Sequence, residues 1–231
     1  MTKFVGTVSR SALTLFLVFG AVSAATLPID LSKYRNFQLG TDLPTIAKQV
    51  GANPSQAKLI HRRPALIQEL EWWPQPLGPS SAVESAQKVV FSFYDGELFQ
   101  IAISYDPYET EGLTADDFIE AISVPYGFAE KPTAPANTVQ KRYGDQDVIV
   151  ARWQDSQYCF NLIRSSYGSG FSLVGVLKRL QAPAQAAITE AKRLDDQEAP
   201  QRDAARMADE KETERAKLEK ARLTNKAKFR P

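Results

Sequence analysis

The sequence predicts an α+β fold, an antiparallel sheet with short helices on one face and a long charged helix at its C-terminal end, from three observations. Two alternating runs rich in Val, Ile, Phe and Tyr flank Asp95-Gly96 in "KVVFSFYDGELFQIAISYD", the pattern of a tight antiparallel hairpin. Two windows with apolar residues at helical spacing each end in a glycine, Gly51 and Gly127, which lie 76 positions apart. From Ala182 to Lys228 there is no aromatic residue, and Ala, Glu, Lys, Arg, Asp and Gln dominate, which predicts exposed helix rather than core.

In the first window, "LGTDLPTIAKQVG", Leu43, Ile46, Ala47 and Val50 share one helical face, Thr41 or Asp42 stands as N-cap, and Gly51 is the stop. "ALIQELEWW" follows as a strand and "PQPLGPSS" breaks it. In the second window, "LTADDFIEAISVPYG", Leu113, Phe118, Ile119 and Ile122 form the apolar side. "DVIVARWQDSQYCFNLIRSS" then supplies two strands around a turn at Gln154 to Gln157, and "GFSLVGVLKRL" a third. At the 76-residue shift Leu43 falls on Ile119 and Ile46 on Ile122, and Trp153 echoes Trp72. The expectation is two tandem helix-strand-strand-strand units, residues 26–108 and 109–181, joined into a six-stranded sheet, since one such unit cannot hide its own apolar face.

The helix-glycine-strand pattern with its "DG" hairpin resembles small exported bacterial domains of the SmpA/OmlA type, found in an outer-membrane assembly lipoprotein. The tandem form resembles the β-lactamase inhibitor protein fold. The chain lacks the lipobox cysteine of the first and the paired cysteines of the second. "YDPYETEGLTADDFIEAIS", "FNLIRSSY" and the terminal "FRP" also resemble secreted proteins of soil bacteria. The resemblance implies a non-enzymatic protein that binds other proteins.

Export is also read from the N-terminus. Lys3 and Arg10 precede an apolar stretch, Ser11 to Val22, followed by small residues at Ser23, Ala24 and Ala25. This is a signal-peptide pattern for residues 1–25, with an uncleaved anchor as the alternative; the apolar stretch is too short to span a bilayer comfortably, which takes about 20 residues. The expected location is periplasmic or extracellular. With Cys159 as the single cysteine, the mature chain has no internal disulfide, and the thiol is expected as a small buried hydrophobe.

The 182–231 segment is expected as a helix to about Ala199, a break or kink at Pro200, and a second, solvated helix to about Thr224. Ile188, Ala191 and Leu194 are its candidates for docking. Opposite charges recur three apart, at Glu190 with Arg193, Asp203 with Arg206, Glu212 with Arg215 and Glu219 with Arg222. Formal net charge is +1, so nothing global points to nucleic acid. The basic balance sits in the tail, where seven cations from Arg215 to Arg230 face Glu219 alone, a segment suited to weak contact with an anionic surface.

The acidic stretch "DPYETEGLTADDF", Asp106 to Phe118, poses the question of a site. As a calcium loop its register fails: with Gly112 at the sixth position, Pro107 is first and Phe118 twelfth. Thr114 with Asp117 instead forms a capping box, with Asp116 favoured at the same helix end. Glu109 and Glu111 are left without a structural task. His61 is the lone histidine, which excludes the familiar zinc sets, and with Arg62 and Arg63 it makes a small basic patch. "RSSYGSG", Arg164 to Gly170, reads as a hairpin connection. Of Trp72 and Trp73 one points inward and the other outward, a candidate interface anchor.

No cofactor, metal or catalytic set is expected. The leading expectation is an exported non-enzymatic protein acting on an unknown envelope protein, with Trp72, Trp73, His61, Arg62, Arg63, Glu109 and Glu111 as interface candidates. Two alternatives stand beside it: a small hydrolase or ligand-binding protein using Asp116, Asp117 or His61 between the units, and an envelope structural protein held by its basic tail.

Overall fold

The computed structural model describes residues 29–74, 85–132, 139–140, 146–165 and 170–230. The signal-peptide stretch, most of the proline loop and the middle of "RSSYGSG" lie outside them. The protein is α+β, as the alternation predicts. A two-stranded hairpin, β1 (Lys33–Tyr34) and β2 (Phe37–Gln38), precedes helix α1 (Leu43–Gln49). Then come β3 (Lys58–His61), β4 (Ile67–Trp72), β5 (Ala86–Tyr94), β6 (Glu97–Tyr105) and helix α2 (Ala115–Tyr126). The two-residue β7 (Val139–Gln140), β8 (Gln146–Gln154), β9 (Tyr158–Arg164) and β10 (Phe171–Leu177) lead into helix α3 (Lys178–Lys228).

Seven strands form one antiparallel sheet in the order β3-β4-β5-β6-β10-β9-β8, and β7 pairs with the free side of β8. The six expected strands are present. The seventh, β3, is the correction: four residues of Lys-Leu-Ile-His carry too little alternation to announce a strand, and pairing with β4 defines it. Strands β6 and β10 pair in the middle, Ile103 opposite Leu173 and Ile101 opposite Gly175.

The β5–β6 turn explains itself. Asp95 and Gly96 both have positive φ, 47° and 84°, the two left-handed residues of the turn that matches strand twist. Asp95 also accepts the Leu66 N–H through its carboxylate, at 2.9 Å, tying the turn to the start of β4.

One sheet face carries the main core. Val89, Phe91 and Phe93 of β5, Leu98, Ile101 and Ile103 of β6, and Trp153, Phe160, Leu162 and Leu173 beyond them are buried there against α1, α2 and the β1–β2 hairpin. Phe37 of that hairpin, which the sequence reading passed over, sets its ring edge-on to Phe91 and Trp72, at 4.8 and 5.4 Å. Asp42 caps α1, accepting from Thr45 N–H, and α2 begins at the expected Thr114–Asp117 capping box.

The helices expected on one face are α1 and α2, and the long charged C-terminal helix α3 lies on the other. Its first turns cross the opposite face, burying Ala184, Ala187 and Ala191, small residues that let a helix approach a sheet closely. Ile188 stays half-buried beside that stripe. Of the break or kink expected at Pro200 the break is absent, since α3 runs as one helix from Lys178 to Lys228 through Pro183 and Pro200. A proline removes one backbone donor from the ladder. Nearby the Arg202 guanidinium donates to Asp195 O at 2.8 Å, whereas the carbonyl deprived of the proline's donor is that of Asp196. Past Pro200 every described residue is exposed, and three of the four expected charge pairs form: Glu190–Arg193, Asp203–Arg206 and Glu219–Arg222.

Candidate functional site

The strongest candidate for a contact surface surrounds the C-terminal end of α2. The helix buries Phe118, Ile122 and Tyr126, a four-residue rhythm that turns Val124 outward. Val124 is 76% exposed, Phe128 93% and Ile29 63%. Ile29 lies against Gly127, where an added Cβ would come 2.6 Å from the Ile29 Cδ1. Glycine is required there twice over, by that contact and by a φ of 79°. The three exposed apolar side chains thus gather where one helix ends. Scattered exposed hydrophobics are ordinary, whereas a cluster marks a contact surface.

Next to this cluster lies a mostly apolar hollow of about 550 Å³. Ala121, Ile122, Pro125 and Tyr126 form its helical wall, and Tyr105 and Leu173 its sheet side. Asp30, Lys33, Tyr34 and Arg35 close it from the N-terminal hairpin. The walls are locked. Tyr126 donates its hydroxyl to Lys33 O at 2.9 Å, and its ring stacks on Phe160 at 4.6 Å. Burial raises the Tyr126 phenol well above its ordinary range, so the hydroxyl keeps its proton and remains a donor. Trp153 donates its indole N–H to Gly127 O and Ser123 Oγ, at 3.1 and 3.2 Å, fixing the end of α2 to β8. At the rim, the Ser32 hydroxyl and the Lys33 ammonium hold the Asp30 carboxyl down to about 2. The Arg35 guanidinium stands over the Tyr34 ring at 5.2 Å.

The residues singled out in the sequence are dispersed. Trp72 is half-buried on Phe37, and Trp73 is 52% exposed, one inward and one outward as alternation requires. The Lys88 ammonium sits over the Trp73 ring at 5.3 Å and pairs with Glu71 at 2.7 Å. Glu109 and Glu111 are exposed on the turn that follows β6. That turn starts at Asp106, whose N–H donates to Ser85 O beside the start of β5, the same end of the sheet as Trp73. His61 and Arg63 lie elsewhere: His61 lines a cleft beneath α3, and Arg63 pairs with Glu198 of α3. Arg62 is exposed.

Asp116 and Asp117 are not brought to His61. They start α2 on the main-core face, whereas the His61 cleft is on the other. Thr114 N–H and hydroxyl both donate to the Asp117 carboxylate at 2.7 Å, and Asp117 N–H returns the bond to Thr114 Oγ1 at 3.3 Å. These bonds lower the Asp117 carboxyl from its ordinary value. Asp116 pairs with Lys131 at 3.2 Å. Cys159 is buried, and burial pushes its thiol up, away from the reactive thiolate. Among the described residues no group of three or more His, Cys, Asp or Glu stands ready to hold a metal ion, and no helix is long and apolar enough to cross a membrane.

Sequence reading missed the Ile29–Val124–Phe128 cluster, although part of its signal was legible. Val124 stands off the buried Phe118–Ile122–Tyr126 stripe of α2, whereas Phe128 lies past the Gly127 cap. No family model matches the chain, and neither a curated protein nor a solved structure is similar to it.

Proposed function

We propose that this is an exported, non-enzymatic protein, built of two related helix-and-strand units, that works by contact with another protein of the bacterial envelope. The observation that supports the reading is the exposed Ile29–Val124–Phe128 cluster beside an apolar hollow with a charged rim. A partner segment with one apolar side chain for the hollow and an acidic group toward Lys33 and Arg35 matches its chemistry. Anchoring side chains in such desolvated positions dominate binding energy, with losses of about 2 kcal/mol or more on truncation.

The test is a photo-reactive side chain placed at position 128 and, separately, at position 62. The expected result is one discrete cross-linked species in the envelope fraction from position 128, none from position 62, and loss of the species on adding Val124→Asp. Equal, diffuse labelling from both positions would remove the reading. A second reading, a salt-sensitive association of the basic end of α3 with an anionic surface, is favoured by the exposure of all its cations from Arg215 to Arg230.

A further inference from the structure

We infer that the cleft between α3 and the sheet, on the face opposite the main core, binds a neutral hydroxyl-rich ligand, a saccharide. This site is separate from the protein contact proposed above. The cleft encloses about 860 Å³, within the ~300–1,000 Å³ of small-molecule sites. It exists because of how α3 is seated. The Ala184–Ala187–Ala191 stripe is pressed down, and about a quarter-turn around the helix Gln185, Ile188, Lys192, Asp195 and Asp196 overhang the strands. The helix is clasped at both ends of this crossing, Arg179 to Glu97 and Arg63 to Glu198. The overhang is therefore a fixed roof.

The floor is a row across three strands. Glu69 of β4 stands opposite Ser92 of β5, and Ser92 opposite Gln100 of β6, at the spacing of about 4.8 Å between neighbouring strands. All three side chains line the cleft. Ser92 is only 3% exposed, and its hydroxyl has no hydrogen-bond partner among the described residues. A buried hydroxyl without a partner is costly, and most such groups in folded proteins are satisfied. Glu69 and Gln100 likewise form no side-chain hydrogen bond or ion pair among the described residues. Three polar groups in one row, aimed into one cleft, await a common partner.

Their chemistry selects its class. Glu69 only accepts, whereas Ser92 and Gln100 both donate and accept. On the roof, Lys192 only donates and Asp195 and Asp196 only accept. A ligand that matches this mixture must donate and accept at several points, as the hydroxyls of a sugar do. Ile67, Phe99 and Ile188 interleave with the polar groups and offer apolar contact to the C–H faces of a ring. An anion meets three carboxylates. A polyamine meets Lys192 and leaves the amide donors unmatched.

The experiment uses the chain from residue 26 to 231 with maltose, cellobiose, chitobiose, spermidine and inorganic phosphate as probes, by titration calorimetry and saturation-transfer NMR. Saturable binding of at least one disaccharide is expected, weakened at least about tenfold in Ser92→Ala and in Glu69→Gln and unchanged in Trp73→Ala. Removing an unpartnered hydroxyl leaves the fold intact. Should Ser92→Ala nonetheless unfold, Glu69→Gln and Gln100→Met decide. The inference is overturned if no disaccharide binds, if the disaccharide affinity is the same in the cleft variants, or if spermidine alone binds and is lost in Glu69→Gln.

Discussion

Arg63, just past the edge strand β3, is paired with Glu198 of α3, 135 positions further along the chain. The contact holds the far end of the helix's crossing over the sheet. It raises the Arg63 guanidinium and lowers the Glu198 carboxyl, each through their mutual hydrogen bond. Both side chains are at least partly exposed, and such pairs add little to global stability. Arg63→Ala is therefore expected to leave the melting midpoint nearly unchanged while loosening the roof locally. Amide exchange over residues 192–200 should accelerate, with the β5 and β6 amides unaffected. Unchanged exchange over that stretch would show that the alanine stripe alone seats α3.

Gly175 in the middle of β10 faces the ring of Phe160. A Cβ built on Gly175 would lie within 3 Å of three carbons of that fully buried ring. The ring has nowhere to go, since Tyr126 stacks on it at 4.6 Å. Overpacking of this kind costs about 1–3 kcal/mol, so Gly175→Ala should lower the unfolding free energy by that much, read as a lower denaturant midpoint at unchanged slope, despite the better strand propensity of alanine. Phe160→Ala should cost more, about 3–5 kcal/mol. A neutral Gly175→Ala would mean that the sheet opens there at little cost.

How far the fold was legible depended on whether neighbours in sequence were also neighbours in structure. The Asp95-Gly96 hairpin and the Thr114–Asp117 box are local, and both stand where the pattern puts them. Phe37 and β3 escaped because each is defined by a distant partner, Phe91 with Trp72 in one case and β4 in the other. The uninterrupted α3 escaped because the proline rule is a local penalty, whereas the burial of Ala184, Ala187 and Ala191 that seats the helix is set by a distant sheet face. Of the contact surface only Val124, off the buried stripe of α2, was visible in helical spacing, and Phe128 and Ile29 join it only through the fold. The Glu69–Ser92–Gln100 row depends on strand register, which no single strand announces. Serine in "FSFYDG" reads as an outward residue, and only α3 overhead makes it a buried one.

Acid should weaken the rim of the apolar hollow in a defined window. The Asp30 carboxyl is held at about 2, first by the Ser32 hydroxyl and then by Lys33, below the ordinary carboxylate value of about 3.9. A group whose folded value is lowered stabilises the native state fully above its unfolded value, and that contribution is lost as the pH falls towards the folded one. The difference in stability between the parent protein and Asp30→Asn should be constant above pH ~5 and shrink between pH ~4 and ~2. Asp30 is partly exposed, so the effect is small and further reduced by salt. Thermal melts of the two proteins across that range check it. A gap that widens on acidification would mean that Asp30 is not held ionised by Ser32 and Lys33.

The outer part of α3 makes the last prediction. Residues 201–230 are exposed throughout, and their large apolar side chains, Met207, Leu218, Leu223 and Phe229, are 66%, 65%, 58% and 72% exposed. Little apolar area is withdrawn from water there, so the segment contributes little to the stability of the body. Its helicity rests on propensity and on pairs such as Asp203–Arg206 and Glu219–Arg222, each worth about 0.2–0.5 kcal/mol. Truncation after Pro200 should leave the melting midpoint of the sheet domain unchanged while removing helical ellipticity. Truncation after Arg179 should lower the midpoint, because it also removes the buried Ala184, Ala187 and Ala191. If the basic end binds an anionic surface, the first truncation alone should abolish association with vesicles rich in anionic lipid, and raised salt should do the same to the intact chain. Retention of vesicle binding by the Pro200 truncation would place the contact on the body instead, beside Lys33 and Arg35.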